Sequence, residues 1–218
     1  KMRKARFVAC VTRPLRDQVI VATGLATGRV PVIWMGVDTT RFGYRAPRVE
    51  DGVLRVIMVA RLNWPKGHRH TLEALKRLKG EGLGVEFIIV GDGPYRQSIV
   101  GEVEAAGLTA QTRFLGTLSE DEVALRIAES DVLVLPSVGM GEAAPVAVME
   151  AMSIGRPVIA SIIGGTPDMI DDGVDGFLCR QEDVDALTSR LRQLARDPAL
   201  ARRMGLAARE RAVRDFDA

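Results

Sequence analysis

From residue 53 to the end of the chain, short β-branched and apolar runs alternate with amphipathic stretches of helical period, and this restricts the fold more than any other feature. The runs occupy 53–60, 85–90, 112–115, 131–136, 157–161 and 176–179, each ending in Gly, Pro or a polar loop. Helical patterns fill the intervals at 67–79, 95–106, 119–130, 146–154 and 167–172. A strand that is apolar throughout has no side for water, so helices must cover both faces of a parallel sheet. The expected fold is therefore α/β, a doubly wound parallel sheet of Rossmann-like type. Ser119 and Glu122 have the spacing of a capping box at one helix start. Residues 183–196 place Val184, Leu187, Leu191 and Leu194 on one face, and Asp197-Pro198 separates them from a last helix carrying Leu200, Met204 and Ala208.

The first fifty residues read differently. A strand at 6–11, a helix at 14–23 and a strand at 30–34 lead into a turn at Gly36-Val37-Asp38, and 41–52 is rich in Arg, Pro and Gly without any period. One βαβ piece is too small to hold a core of its own. Residues 1–48 are therefore expected to be a linker and the remnant of a preceding domain, with 49–218 forming the main domain. Lys1 in place of an initiator methionine fits a fragment.

Charge narrows the partners. A net charge of only +2 gives no general field for nucleic acid, so none is expected as a partner. Lys1, Arg3, Lys4 and Arg6 read first as a solvated chain end and second as a peripheral contact with an anionic membrane. No run approaches the roughly 20 apolar residues of a membrane span, and no signal peptide is visible. Cys10 and Cys179 read as buried small hydrophobes in a reducing compartment, which makes a cytoplasmic protein the expectation.

Ligands of open parallel sheets bind beyond the carboxyl ends of the strands, so chemistry is sought just after each apolar run. In Arg61-Leu62-Asn63-Trp64-Pro65-Lys66-Gly67 two cations flank a tight loop that opens a helix, a pattern suited to a diphosphate. The alternative is a pair of solvated charges. In the run from Pro136 to Met152, Glu142 precedes a helix that Pro145 opens, and Glu150 sits inside that almost wholly apolar helix. A carboxylate there needs a partner, either the hydroxyls of a ribose or sugar, or an Arg or backbone amides of the protein. Gly164-Gly165 permits close backbone approach to a ligand but is also an ordinary turn. Gly91-Asp92-Gly93-Pro94 lacks the third glycine of a dinucleotide fingerprint, Arg96 taking its place. His68 and His70 are expected to be solvated, and Asp171, Asp172 and Asp175 do not complete a calcium loop. Trp64 is equally a stacking platform and an exposed loop residue.

Taken in order, these loops resemble the carboxyl-terminal domain of the family 4 glycosyltransferases of GT-B architecture. The resemblance runs from about Arg6 to Phe216. It rests on Arg61-Leu62 with Lys66-Gly67, on Gly91-Asp92-Gly93-Pro94 and on Phe114-Leu115-Gly116. Glu142 and Glu150 with Ala151-Met152, Gly164-Gly165, and Asp172-Gly173 with Gly176-Phe177 complete it. It implies a retaining transfer of a glycosyl group from a nucleoside diphosphate sugar, of UDP or GDP type, with neither cofactor nor metal. Arg61 and Lys66 would hold the diphosphate, Glu150 the ribose and Glu142 the donor sugar. The backbone around Arg113–Gly116, with Phe114 and Leu115, would line the base pocket, and Gly91 would be a further donor-binding position. Pro145 has no amide, so Val146 and Ala147 would supply any phosphate contact. The acceptor, a glycan or glycolipid of surface polysaccharide assembly, would enter through the amino-terminal domain, so the fragment itself is expected to be inactive.

The family often has Pro-Phe-Gly where Ala143-Ala144-Pro145 stands, Glu at Asp168 and Asn at Met35, which leaves sugar specificity open. Three rivals remain at this stage. A retaining glycosidase would need its carboxylates across a cleft. A sugar-nucleotide epimerase of the same architecture would need no acceptor, and a bare binding module would carry out no chemistry.

Overall fold

The computed structural model describes residues 2–48, 51–140 and 142–218. Lys1 of the basic cluster, Val49 and Glu50 at the expected domain boundary, and Gly141 before Glu142 lie outside the described residues. Six parallel strands form one sheet in the order β3-β2-β1-β4-β5-β6. They are β1 Val53–Val59, β2 Gly84–Val90, β3 Thr112–Gly116, β4 Val132–Leu135, β5 Val158–Ser161 and β6 Gly176–Cys179. This is the doubly wound order, in which the chain starts at the centre, winds outward one way, then returns and winds the other. Each strand lies within a residue or two of its apolar run, because nothing but burial on both faces tolerates such runs.

Successive side chains of a strand point to opposite faces, and β1 shows the result. Val56 and Met58 join one core with Leu72, Leu75 and Leu78 of α2 (His68–Gly80), with α3 (Arg96–Ala105) and with Leu187 and Leu191 of α7 (Val184–Arg196). Ile57 faces a second core with Val123 and Ile127 of α4 (Glu120–Ala128), Met149 and Met152 of α5 (Val146–Ile154), and Ala208 and Ala212 of α8 (Pro198–Asp215). The capping box starts α4: the Ser119 hydroxyl accepts from the Glu122 amide, and the Glu122 carboxylate accepts from the Ser119 amide. The short α6 spans Thr166–Met169.

The amino-terminal segment departs from its sequence reading. Helix α1 (Arg13–Thr23) forms, capped by Thr12, but neither flanking strand does. What remains is a single parallel bridge, Cys10 to Val32, with the Cys10 amide donating to the Pro31 carbonyl at 3.0 Å. An isolated two-stranded pair is marginal without further strands on its edges, which is why apolar alternation alone misled here. The aperiodic stretch after it lies along the main domain as a strap. Phe42 is buried, and the guanidinium of the buried Arg156 donates to the carbonyls of Arg45 and Ala46 as well as to those of Ser130, Gly155 and Ala128. At the chain's other end, the Phe216 carbonyl accepts from the Val37 amide at 2.8 Å, and the Trp34 and Phe216 rings meet edge to face.

Candidate functional site

The order reverses between β1 and β4, and at such a switch point open parallel sheets bind ligands in a crevice beyond the carboxyl ends of the strands. Two contacts tie the loops after these two strands together at its base. The Val138 amide donates to the Pro65 carbonyl at 2.8 Å. Gly67 has φ +78°, and a Cβ there would lie 2.0 Å from the Pro136 carbonyl oxygen, so only glycine lets the Lys66 loop rest on the loop after β4. Lys66 consequently reaches across the crevice and ion-pairs with Glu142, 76 residues away in sequence. Glu142 is 8% exposed and also accepts from the Ser137 hydroxyl at 2.7 Å, on the same oxygen, Oε1, that Lys66 uses. Two of the residues picked from separate motifs thus share one site.

Gly164 and Gly165 act on that site differently from the sequence expectation. They approach protein, not open space: a Cβ on Gly164, whose φ is +54°, would lie 1.7 Å from the Glu142 carbonyl oxygen. The Gly165 amide donates to Ala143 at 2.7 Å. The pair is a bed for the Glu142 loop. We expect Gly164→Ala to cost on the order of 2 kcal/mol through clash and backbone strain. Denaturant unfolding measures this, and an unchanged midpoint would show that the loop simply moves aside.

Helix α5 begins beside Glu142. Pro145 stands one position earlier than read, as the capping residue with φ −68° and ψ 114°, and contributes no side-chain cap. The amides of Val146 and Ala147 have no hydrogen-bond partner among the described residues, so the helix presents free donors there. Glu150, one turn in, is partly buried and has neither ion pair nor hydrogen bond among the described residues. Burial, reinforced by the neighbouring charge of Glu120, pushes its carboxyl up to about 7. Among the described residues neither an Arg nor a backbone amide meets the Glu150 carboxylate, which leaves ligand hydroxyls as its expected partner.

Arg61 follows β1 as expected, exposed and without an ion pair among the described residues. The Gly91 amide is taken by the Gly116 carbonyl at 2.7 Å, so Gly91 links the loops after β2 and β3 and does not offer that donor to a ligand. Strand β3 is an edge of the sheet, with unpaired backbone groups along its outer side. Arg113 there is exposed, Phe114 packs under the Arg96 guanidinium at 5.5 Å, and Leu115 leans on the second core.

His68 corrects the expectation of solvation. It is 4% exposed, and burial, then the nearby Lys66 charge, lowers its imidazole to about 4. The first residue of α2 points inward because the Gly67 turn aims it there, which spacing along the helix does not reveal. His70 is partly buried. Asp175 pairs with Arg211, Cys179 is buried and free, and no group of three or more metal-ligating residues occurs among the described residues. Ser137 also belongs to the site, and its place just beyond the carboxyl end of β4 is the sequence signal for it, as the end of β1 is for Arg61.

A cleft of about 330 Å³ lies at the opposite end of the sheet, between the strap and the junction of α7 and α8. Its Arg156 donates to five carbonyls, and its Asp51 is held by Arg48 and Arg55. Convergent charge, and not volume, marks the crevice as the site.

The family model described as glycosyl transferases group 1 matches residues 45–211. The chain belongs to that family. Among curated glycosyltransferases, WcaL of Salmonella typhimurium, named for colanic acid biosynthesis, is 33% identical over 199 residues, 89% of this chain and 49% of WcaL. The glycogen synthase of Mycobacterium tuberculosis is 29% identical over 99% of this chain and 52% of its own length. The chain therefore spans about half the length of the curated relatives it matches. HepE of Anabaena, solved in complex with UDP, superposes with a TM-score of 0.87 at 22% identity, covering 99% of this chain and 61% of HepE. That likeness shows that the chain has the fold of the matching part of a GT-B glycosyltransferase. No described helix is long and apolar enough to cross a membrane.

Proposed function

We propose that this group 1 glycosyltransferase chain is a donor-binding unit that holds a nucleoside diphosphate sugar for retaining transfer to an acceptor hydroxyl. The observation that carries this is the Lys66–Glu142 pair spanning the crevice between β1 and β4, with the free amides of α5 beside it. As the sugar–phosphate bond breaks, negative charge grows on the departing diphosphate. Lys66, Arg61 and the amino terminus of α5 are cationic or donor groups suited to that charge, and they favour the transition state over the ground state. Glu142 takes the donor sugar's hydroxyls, Glu150 the ribose, and the outer edge of β3 the base.

HepE was also solved with UDP-glucose, which makes uridine diphosphate sugars the first probes. WcaL's name points to surface polysaccharide as the setting. Residues 1–48 are read as the end of an acceptor-binding domain, through which a glycan or glycolipid would approach. The expected result is calorimetric binding of UDP or GDP and their sugars by these 218 residues, without transfer. Normal turnover by the chain alone would overturn the division into donor and acceptor parts. Failure of every nucleotide to bind at millimolar concentration would overturn the site.

A further inference from the structure

Ser137 lies two residues beyond β4, is 1% exposed, and is absent from the roles given above to Arg61, Lys66, Glu142 and Glu150. Its hydroxyl donates to Oε1 of Glu142 at 2.7 Å, and the Lys66 ammonium donates to that same oxygen. A carboxylate oxygen offers two lone-pair directions, so these two donors fill Oε1. Oε2 has no hydrogen-bond partner among the described residues. The carboxylate is thus clamped by one oxygen and presents the other.

We propose that Ser137 is a positioning residue that fixes the Glu142 carboxylate so that Oε2 faces the hydroxyls of the donor sugar. This rests on the reading of Glu142 as the sugar-binding acid, and it adds the element that orients it. The division of labour follows from chemistry. Lys66 is drawn towards the diphosphate when a donor binds, so its hold on Glu142 weakens when orientation is needed. The hydroxyl of Ser137 has no such competing attraction, and burial denies it water as an alternative partner. The loop geometry supports the assignment: the Val138–Pro65 hydrogen bond and the Gly67–Pro136 contact fix the backbone on both sides of Ser137.

The test measures affinity for UDP-glucose and for UDP, or for GDP-mannose and GDP if the guanosine pair binds more tightly. Ser137→Ala, Glu142→Gln and the double variant are compared with the unaltered chain, and Ser137→Cys is the near-isosteric control for folding. Ser137→Ala is expected to weaken the nucleotide sugar about fivefold or more, leave the diphosphate within twofold, and add nothing to Glu142→Gln in the double variant. A Glu142→Gln chain that keeps its preference for the nucleotide sugar overturns the sugar-binding role of Glu142, and the present inference with it. If Glu142→Gln loses that preference while Ser137→Ala keeps it, only the Ser137 assignment falls. Equal losses for both ligands with a lower melting temperature, repeated in Ser137→Cys, would make Ser137 a packing residue and overturn the proposal.

Discussion

Lys66→Ala is expected to weaken UDP binding by about 100-fold while uridine binding stays within about twofold, because a charge-assisted contact to a phosphate in a partly buried site is worth roughly 2–3 kcal/mol. The side chain is 22% exposed and its partner Glu142 only 6%, so water screens this charge less than it would on an open surface. Removing Lys66 also leaves Glu142 buried with Ser137 as its only polar partner among the described residues, which should lower stability by about 2 kcal/mol. Calorimetry with UDP and uridine separates the two effects, since lost stability alone would weaken both ligands equally. In the unliganded chain the ammonium is occupied by Glu142, so the diphosphate has to compete for it. Glu142→Gln should therefore bind UDP at least as tightly as the unaltered chain even as it loses sugar recognition. A parallel loss of UDP affinity in Glu142→Gln would mean that Lys66 needs the carboxylate to stay in place. Arg61→Ala should follow Lys66→Ala in sign with a smaller effect, because Arg61 is exposed.

The second large effect is on pH. Glu150 has no polar partner among the described residues, and burial raises it to about 7. Ribose hydroxyls are donors, and they are held best by an ionised carboxylate, so UDP-glucose affinity should fall about tenfold between pH 8 and pH 6 as the ionised fraction falls. UDP-glucose is the right probe because its diphosphate does not titrate in this window. The stability of the empty chain should move the opposite way. Between about pH 4.5 and 7 the unfolded chain loses this proton while the folded chain retains it, so stability declines as pH rises through that window. Glu150→Gln should then be more stable than the unaltered chain at pH 8, by about 2 kcal/mol after allowance for partial exposure. At pH 4, where both forms are neutral, the difference should vanish. The same variant should lose the pH dependence of binding along with most of its ribose recognition. Affinity for UDP-glucose that is flat between pH 6 and 8 in the unaltered chain would remove Glu150 from the ribose.

Glu150 also shows what was legible and what was not. That an acid sits inside an apolar helix is visible in the order Val146-Ala147-Val148-Met149-Glu150-Ala151-Met152. Such a violation of local patterning tends to occur where function requires it. Whether the protein itself neutralised the acid could not be read from the order of residues, because any satisfying Arg would come from elsewhere in the chain. Gly164-Gly165 is the converse case. The glycines were legible, but that the Glu142 loop, some twenty positions earlier, packs against them was not.

By itself the sequence determined the six strands, most helix limits and the doubly wound class. These follow from apolar period and turn chemistry, interactions that act within a dozen residues. It also placed Arg61 and Lys66 in the loop after the first strand of the sheet, Glu142 in the loop before the helix that follows β4, and Glu150 within that helix. Only the tertiary structure decided that Lys66 and Glu142 meet, that Ser137 joins them, that His68 is buried, and that the residues read as strands at 6–11 and 30–34 share only one bridge. The reason is range. Each of those outcomes depends on which loops the strand order brings together, and the free energy that selects it comes from contacts between segments far apart in the chain, which no local period encodes.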